Sequence, residues 1–387
     1  MSRSGHYFSW FTVLLLAVAL MHVYFWWRLV HGSELPRTWH PLLTISLIVL
    51  AASVPAPFFA NRYFTSPWRE ITQWVGYVWL GFAFLLFVTL LASELPRFIL
   101  WFPVRHDPLR SLFFSRLISA AVVLIALGLG LFSLWNASRF PLLKRVRIAL
   151  PLLPQKLSGT TIVQISDVHV GGLIRRGLLA AVVRQSNEVH PDIVAITGDL
   201  VDGSASQHAE MLAPIAELKA RYGVFFVTGN HEYYSGVEPW LAELRRLGVR
   251  ILRNERVSIG IDRNGFDLAG VDDPTGRMFH GEGADLPKAL AERDSSRAVV
   301  LMAHNPSEIL SVSALGVGLQ ISGHSHGGQI WPFNYFVRFF LPFISGWGRL
   351  GNTQIYVNEG TGFWGPPMRL GTRSEITLYE LVPAPAS

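Results

Sequence analysis

No cysteine occurs in the 387 residues, which excludes disulfides, thiolate metal ligands and cysteine nucleophiles without naming a compartment. Charge is scarce as well: 16% of residues are charged and 50% are hydrophobic, whereas a soluble globular chain carries about 25% charged residues. That shortage excludes disorder and places part of the chain in lipid. Lysine is missing from the first 138 residues, where nine arginines face four carboxylates, Glu34, Glu70, Glu94 and Asp107. Residues 139–156 add five cations and no acid, and from Leu157 on acidic residues outnumber basic ones, 23 to 19. The net charge of +6 therefore belongs to the hydrophobic part and its exit. That pattern suits a membrane-lipid partner and argues against a nucleic-acid one.

Apolar runs cover 8–30, 42–60, 71–92 and 112–135, each close to the roughly 20 residues that cross a hydrocarbon core. The expectation is an N-terminal α-helical transmembrane bundle of four helices over residues 1–138. Pro55 and Pro57 interrupt the second run, which leaves three spans plus a re-entrant segment as the alternative. The first run is too long for a signal peptide, no Ala-x-Ala site follows it, and further spans come after. With four spans both ends share one face, and the balance of flanking Arg and Lys makes that face cytoplasmic. Residues 139–156, dotted with cations and broken by Pro141, Pro151 and Pro154, read as a basic linker along the headgroups.

Two details of the hydrophobic part invite function. Ser-Glu-Leu-Pro-Arg occurs at 33–37 and again at 93–97, as in a tandem repeat, although helix-stop chemistry at a membrane surface also explains those residues. His22 lies inside the first span, where an ionisable group is either functional or a neutral imidazole bonded to a neighbouring helix.

From residue 157 to 387 the pattern changes to strands expected at 161–165, 193–197, 224–228, 266–271, 299–303, 317–322 and 354–358. Helices are expected near 175–189, 207–221, 237–247 and 286–293. The alternation suggests an α/β layered fold with extra antiparallel strands late in the chain. Five strand ends run into polar residues: Asp167-x-His169, Gly198-Asp199, Gly229-Asn230-His231-Glu232, His304, and Gly323-His324-Ser325-His326. Open α/β sheets bind ligands at such edges. Singly, each Asp would read as a turn residue and each His as a structural one; five motifs in order read as a metal site. Imidazole, carboxylate and amide donors without thiolate suit Mn, Fe, Zn or similar divalent ions. Alternate residues of an extended segment share a face, so Asp167 and His169 are expected on one ion. The donors exceed the needs of one four-coordinate ion, and two bridged ions would use them all.

These motifs resemble the signature of the calcineurin-like metallophosphoesterases, and Gly-His-Ser-His-Gly-Gly-Gln at 323–329 is most similar to their bacterial membrane-associated branch. The resemblance covers about 160–381 and leaves the helices unexplained. It implies a β-sandwich flanked by helices rather than a doubly wound sheet. It implies two divalent metals, Mn favoured, one held by Asp167, His169, Asp199 and His326 and the other by Asp199, Asn230, His304 and His324. His231 would contact the substrate and serve the leaving oxygen, and a metal-bridging hydroxide would hydrolyse a phosphodiester, pyrophosphate or phosphomonoester. A bacterial inner-membrane location follows from the same branch. The family often has Asp where Glu232 stands, Thr where Ser325 stands, and Pro-Glu where Ser374-Glu375 stands; all three departures spare the ligand set.

Residues 331–347, just after His326, are dense in aromatics and interrupted by Pro and Gly, and Phe363 and Trp364 add two more. An aromatic lip at the lipid interface would admit a substrate with an acyl or prenyl tail; packing on the chain's own helices or an oligomer contact are the plainer readings. Three functions follow: hydrolysis of a lipid-linked phosphoester, the same chemistry on a soluble phosphoester with the helices as anchor, or a non-catalytic membrane sensor or scaffold.

Overall fold

A computed structural model describes residues 3–64, 67–261, 264–279 and 281–385. The chain divides into two compact units, one of Met1–Trp135 with Gly365–Met368, the other of Asn136–Trp364 with Arg369–Ser387.

The first unit is built from α1 (Arg3–Phe25), α2 (His40–Ser53), α3 (Ala56–Tyr63), α4 (Trp68–Val104) and the start of α5 (Pro108–Ser138). Among the described residues three helical stretches are long and apolar enough to cross a membrane: Thr12–His31, Trp68–Val104 and Pro108–Ser138. The second expected span is divided instead. Pro55 falls in the break between α2 and α3, where it has no N–H to continue the ladder, while Pro57 sits in the first turn of α3, where a missing N–H is no loss. The resulting helices, 14 and 8 residues long, are each short of a crossing. Phe25, Ala83, Leu90 and Val122 form the buried centre of the bundle.

His22 is neutral and structural. Its Nδ1 faces the Val18 carbonyl at 2.7 Å and its Nε2 accepts from Trp79 Nε1 at 2.9 Å, so both ring nitrogens are used. The two Ser-Glu-Leu-Pro-Arg copies do not share a conformation: the first follows a helix end, with Glu34 at φ +43°, and the second lies inside α4 with Pro96 in mid-helix. Local structure thus speaks against a tandem repeat.

Among its described residues the second unit holds twelve strands: β1 (Leu142–Leu150), β2 (Thr160–Ile165), β3 (Ile193–Ile196), β4 (Val224–Phe226), β5 (Arg250–Ile251), β6 (Glu255–Ile261), β7 (Asn264–Gly270), β8 (Val299–Met302), β9 (Leu319–Ser322), β10 (Gly346–Leu350), β11 (Thr353–Val357) and β12 (Glu375–Pro383). They form two mixed six-stranded sheets, ordered β1-β12-β2-β3-β4-β5 and β10-β11-β9-β8-β7-β6. Strands β3, β8 and β9 are buried at every residue, which is why they read as unbroken apolar runs. Side chains of both sheets, among them Ile162, Ala195 and Val227 with Leu268, Val300 and Ile321, share one core, so the sheets pack face to face. Outside the first sheet lie α6 (Arg176–Glu188) and the helix Val237–Arg246, each burying residues at i, i+3, i+4 and i+7. The turns Leu286–Ala289 and Ile309–Val312 cover the second sheet. The architecture is a sandwich flanked by helices, as the resemblance implies, and not a doubly wound sheet.

Two local expectations are corrected. Residues 142–150, read as linker, form β1, paired parallel with β12 from Leu142↔Glu375 to Leu150↔Pro383. Val146, Ile148 and Leu150 turn inward and Arg145, Arg147 and Ala149 outward. This is the period-2 pattern of an edge strand whose cations discourage further pairing. The helix expected at 207–221 is a short turn, Ala205–His208, followed by the 3₁₀ stretch Ala209–Glu217, which contains Pro214.

Candidate metal centre

The five strand ends converge. β2 leads to Asp167 and His169, β3 to Asp199, and β4 to Asn230 and His231, all from the first sheet; β8 leads to His304 and β9 to His324 and His326 from the second. Asp167, His169, Asp199, His324 and His326 all have positive φ, between +49° and +71°. For a non-glycine residue this left-handed conformation costs roughly 1–2 kcal/mol, and such strain persists only where surrounding structure imposes it. Asp167 and His169 therefore face one point through left-handed turns, not through the strand alternation expected from sequence. The turns are sewn together by Asp167 N donating to Gly198 O, His169 N to Asp199 O and Gly323 N to His304 O, at 3.1, 3.1 and 3.0 Å. Gly323 is required by close approach: a Cβ there would collide with the Asp167 carboxylate and the Ser166 hydroxyl.

The donors fall into two overlapping sets. His169 Nε2 and His326 Nε2 are 3.0 Å apart and His326 Nε2 lies 3.4 Å from Asp167 Oδ1. In the second set His304 Nε2 stands 3.2 Å from Asp199 Oδ2 and 3.2 Å from Asn230 Oδ1, and His324 Nδ1 lies 2.8 Å from the same Asn230 oxygen. Asp199 has oxygens within 4.8 Å of ligand atoms in both sets. His304 Nδ1 donates to the Thr197 carbonyl at 2.8 Å, which turns the lone pair of Nε2 towards two oxygen acceptors. Acceptor facing acceptor in a buried site requires a positive charge between them, from a proton or a cation. The titration directions agree. Burial disfavours charge on His304, yet Asp199 outweighs it and raises the ring well above its usual range. Burial and neighbouring His304 push His324 down to about 4, and burial with His169 and Arg369 pushes His326 well down. Burial likewise acts to raise Asp199, but His304 and His231 hold it well below the usual carboxylate range. Low-pKa imidazoles beside an ionised aspartate are a donor set that fits divalent cations.

All eight residues expected from sequence to carry the site lie in this cluster, and the structure adds Asp202 and Arg369, which sequence did not single out, and gives roles to Glu232 and Gln329, which sequence named only as parts of motifs. Asp202 Oδ1 is 2.6 Å from His231 Nδ1 and 3.3 Å from His169 Nδ1. Burial works against the protonated His231 ring, but Asp199 and Asp202 outweigh it and raise it to about 9. Glu232 accepts from the backbone of Gly229, Asp199 and Leu200 at 2.7, 3.0 and 2.8 Å, tying the β4 turn to the β3 turn. Arg369, fully buried, donates to the carbonyls of Glu359 and Gly362 at 2.7 and 2.6 Å and reaches His326 Nδ1 at 3.3 Å. Gln329 holds Trp364 by both its amide atoms, each at 2.9 Å, and the Trp364 ring sits 6.1 Å from His231. Spacing offered a faint signal for Asp202 alone, three residues after Asp199.

A family model described as calcineurin-like phosphoesterase matches residues 160–328. An uncharacterized metallophosphoesterase of Campylobacter jejuni is 30% identical over 373 residues, covering 95% of this chain and 97% of its own length. A transmembrane protein with metallophosphoesterase domain from Bos taurus is 39% identical over 280 residues, 69% of this chain and 63% of its length. An uncharacterized metallophosphoesterase of Helicobacter pylori is 39% identical over 245 residues, 63% of this chain and 64% of its length. The chain thus spans just under two thirds of the last two relatives.

Proposed function

The chain belongs to the calcineurin-like phosphoesterases, and on that premise we propose that it is a membrane-associated, metal-dependent phosphoric ester hydrolase. The carrying observation is the buried convergence of acceptor on acceptor around Asp199. Asp167, His169, Asp199 and His326 are assigned to one ion and Asp199, Asn230, His304 and His324 to a second, with Mn favoured over Fe or Zn. When bound, the two ions would supply a hydroxide nucleophile near neutral pH and offset charge on the phosphoryl oxygens. His231 keeps Nδ1 on Asp202, so Nε2 is the nitrogen that passes a proton to the leaving oxygen, a step typically worth about 10²–10⁴-fold. Asp199 and Asp202 together raise the ring to about 9 against burial, which keeps it protonated at neutral pH, and Asp202 fixes which nitrogen faces the substrate.

The substrate we favour is a lipid-linked phosphoester. Trp331, Tyr335, Phe336, Phe339 and Phe340 are exposed, Phe339 to 85%, and Ser325 Oγ donates to Ile344 O at 2.5 Å, which ties this aromatic segment to the loop of His324 and His326. Exposed aromatics beside a phosphoryl site suit an acyl or prenyl tail. The helices are assigned as a multi-pass anchor in the bacterial inner membrane, with α2 and α3 forming a broken fourth crossing and the second unit on the cytoplasmic face. The test is hydrolysis by detergent-purified protein with Mn²⁺, using lipid phosphoesters and a soluble chromogenic diester. Preference for the lipid substrates, lost when Phe339 and Phe340 are changed to Ser, is expected. Equal rates on both classes would favour a soluble substrate, and no turnover of any ester would favour a scaffold.

A further inference from the structure

The helical unit holds a polar cluster that the hydrolase reading does not use. Glu94 accepts from Tyr24 OH at 2.6 Å and pairs with Arg28. Three residues on, Arg97 hydrogen-bonds, among the described residues, to hydroxyls: Nε to Ser93 at 3.3 Å, Nη1 to Ser115 at 3.4 Å and Nη2 to Ser119 at 2.9 Å. Arg116 donates to the carbonyls of Ser33 and Glu34 at 3.0 and 2.8 Å. Ser33 Oγ donates to Ser119 at 2.9 Å, so the two Ser-Glu-Leu-Pro-Arg copies meet at one hydroxyl although their backbones differ.

The charge does not close. Among the described residues three guanidiniums have Glu94 as their one carboxylate partner, and the buried Arg28 Nε has no hydrogen-bond partner, although its guanidinium lies over the Trp27 ring. An uncompensated guanidinium at the end of an apolar span is costly, and an anion relieves it. The depth is informative too. α4 has 37 residues, about 55 Å at 1.5 Å per residue, and Arg97 falls about 44 Å along it, which is the far headgroup layer if Trp68 starts at the near one. Exposed Trp27 and Trp101 flank the cluster in sequence, as interfacial tryptophans do. Guanidinium forks and serine hydroxyls together match phosphate oxygens.

We propose that Arg28, Arg97 and Ser119 form a binding site for the phosphate of an anionic lipid headgroup, separate from the metal centre. The site rests on the helices crossing a bilayer and not on hydrolysis. Full-length protein in detergent, titrated with phosphatidylglycerol, phosphatidylcholine and inorganic phosphate and followed by native mass spectrometry, tests it. Phosphatidylglycerol is expected to be retained about tenfold more tightly than phosphatidylcholine, with that preference lost in Arg97→Gln and Ser119→Ala. Arg110→Gln, whose exposed side chain pairs with Asp107, keeps it. Displacement by millimolar phosphate would identify free phosphate as the source; retention would identify the lipid. Equal binding of both lipids, or an unchanged preference in both variants, overturns the site. Melting temperatures establish that each variant is folded, and Ser119→Ala carries the test if Arg97→Gln is not. His231→Ala should bind lipid as wild type, so failure here and failure of the hydrolase reading are told apart.

Discussion

Asp202 shows how one side chain sets the behaviour of another. Its carboxylate holds His231 by Nδ1 at 2.6 Å, and with Asp199 it raises the ring to about 9 against the effect of burial. A raised folded value means the proton is held below the ordinary pKa of about 6.5 and lost as pH rises through about 9. Activity that needs protonated His231 should therefore fall on the alkaline side. Asp202→Asn should move that limb towards neutrality, and kcat/KM measured from pH 6 to 10 would show it; an unmoved limb would separate Asp202 from proton transfer. His231→Ala should retain both metals by elemental analysis while kcat drops about 10²–10⁴-fold. Asp202 escaped the sequence reading because an Asp three places after a stronger candidate looks like a turn residue. Its distances to His231 and His169 are what distinguish it.

The elements deliver the site through their ends. Seven strands were legible as β-branched or apolar runs, and five of them end in the polar cluster. What the runs did not show is that the chain leaves them through left-handed residues. Such turns let carboxylate and imidazole face inward beside a glycine that has no room for a methyl group. Gly323→Ala should destabilise the protein by about 1–3 kcal/mol through overpacking and weaken Mn²⁺ binding, read by denaturant midpoint and calorimetric titration. Gly172→Ala, whose added Cβ meets nothing within 4 Å, should change stability by less than about 0.5 kcal/mol. If both variants behaved alike, close approach at Gly323 would not be what shapes the site.

For the whole molecule the informative boundary is the one between the hydrophobic part and the part that carries the His and Asp cluster. Charge partition places it at Leu157, after a linker of residues 139–156, whereas compactness places it at Asn136, which donates to the carbonyls of Arg369 and Thr372 at 3.0 Å each. β1 lies between the two positions, and Lys144 reaches Glu375 of β12 at 3.3 Å. A fragment of residues 136–387 is expected to unfold cooperatively, and one of residues 151–387 to aggregate or melt earlier, because β12 would lose its parallel partner. Thermal scanning of the two fragments decides this, and equal melting would return β1 to the role of linker.

Residue type and order alone determined three of the four expected membrane-compatible spans, the chemical identity of the donors and the alternation of strands and helices, because hydrophobic run length, ligand chemistry and periodicity are local properties. His22 was left open between a functional and a structural role, and a partner 57 residues away on α4, Trp79, decided it. Tertiary structure decided which sheet each strand joins, that a cation-dotted stretch is an edge strand, and that Asp202, Glu232, Arg369 and Gln329 serve the site. Those outcomes depend on residues far apart in the chain meeting in a buried space, where a desolvated charge must find its partner, and no window of sequence contains both partners at once.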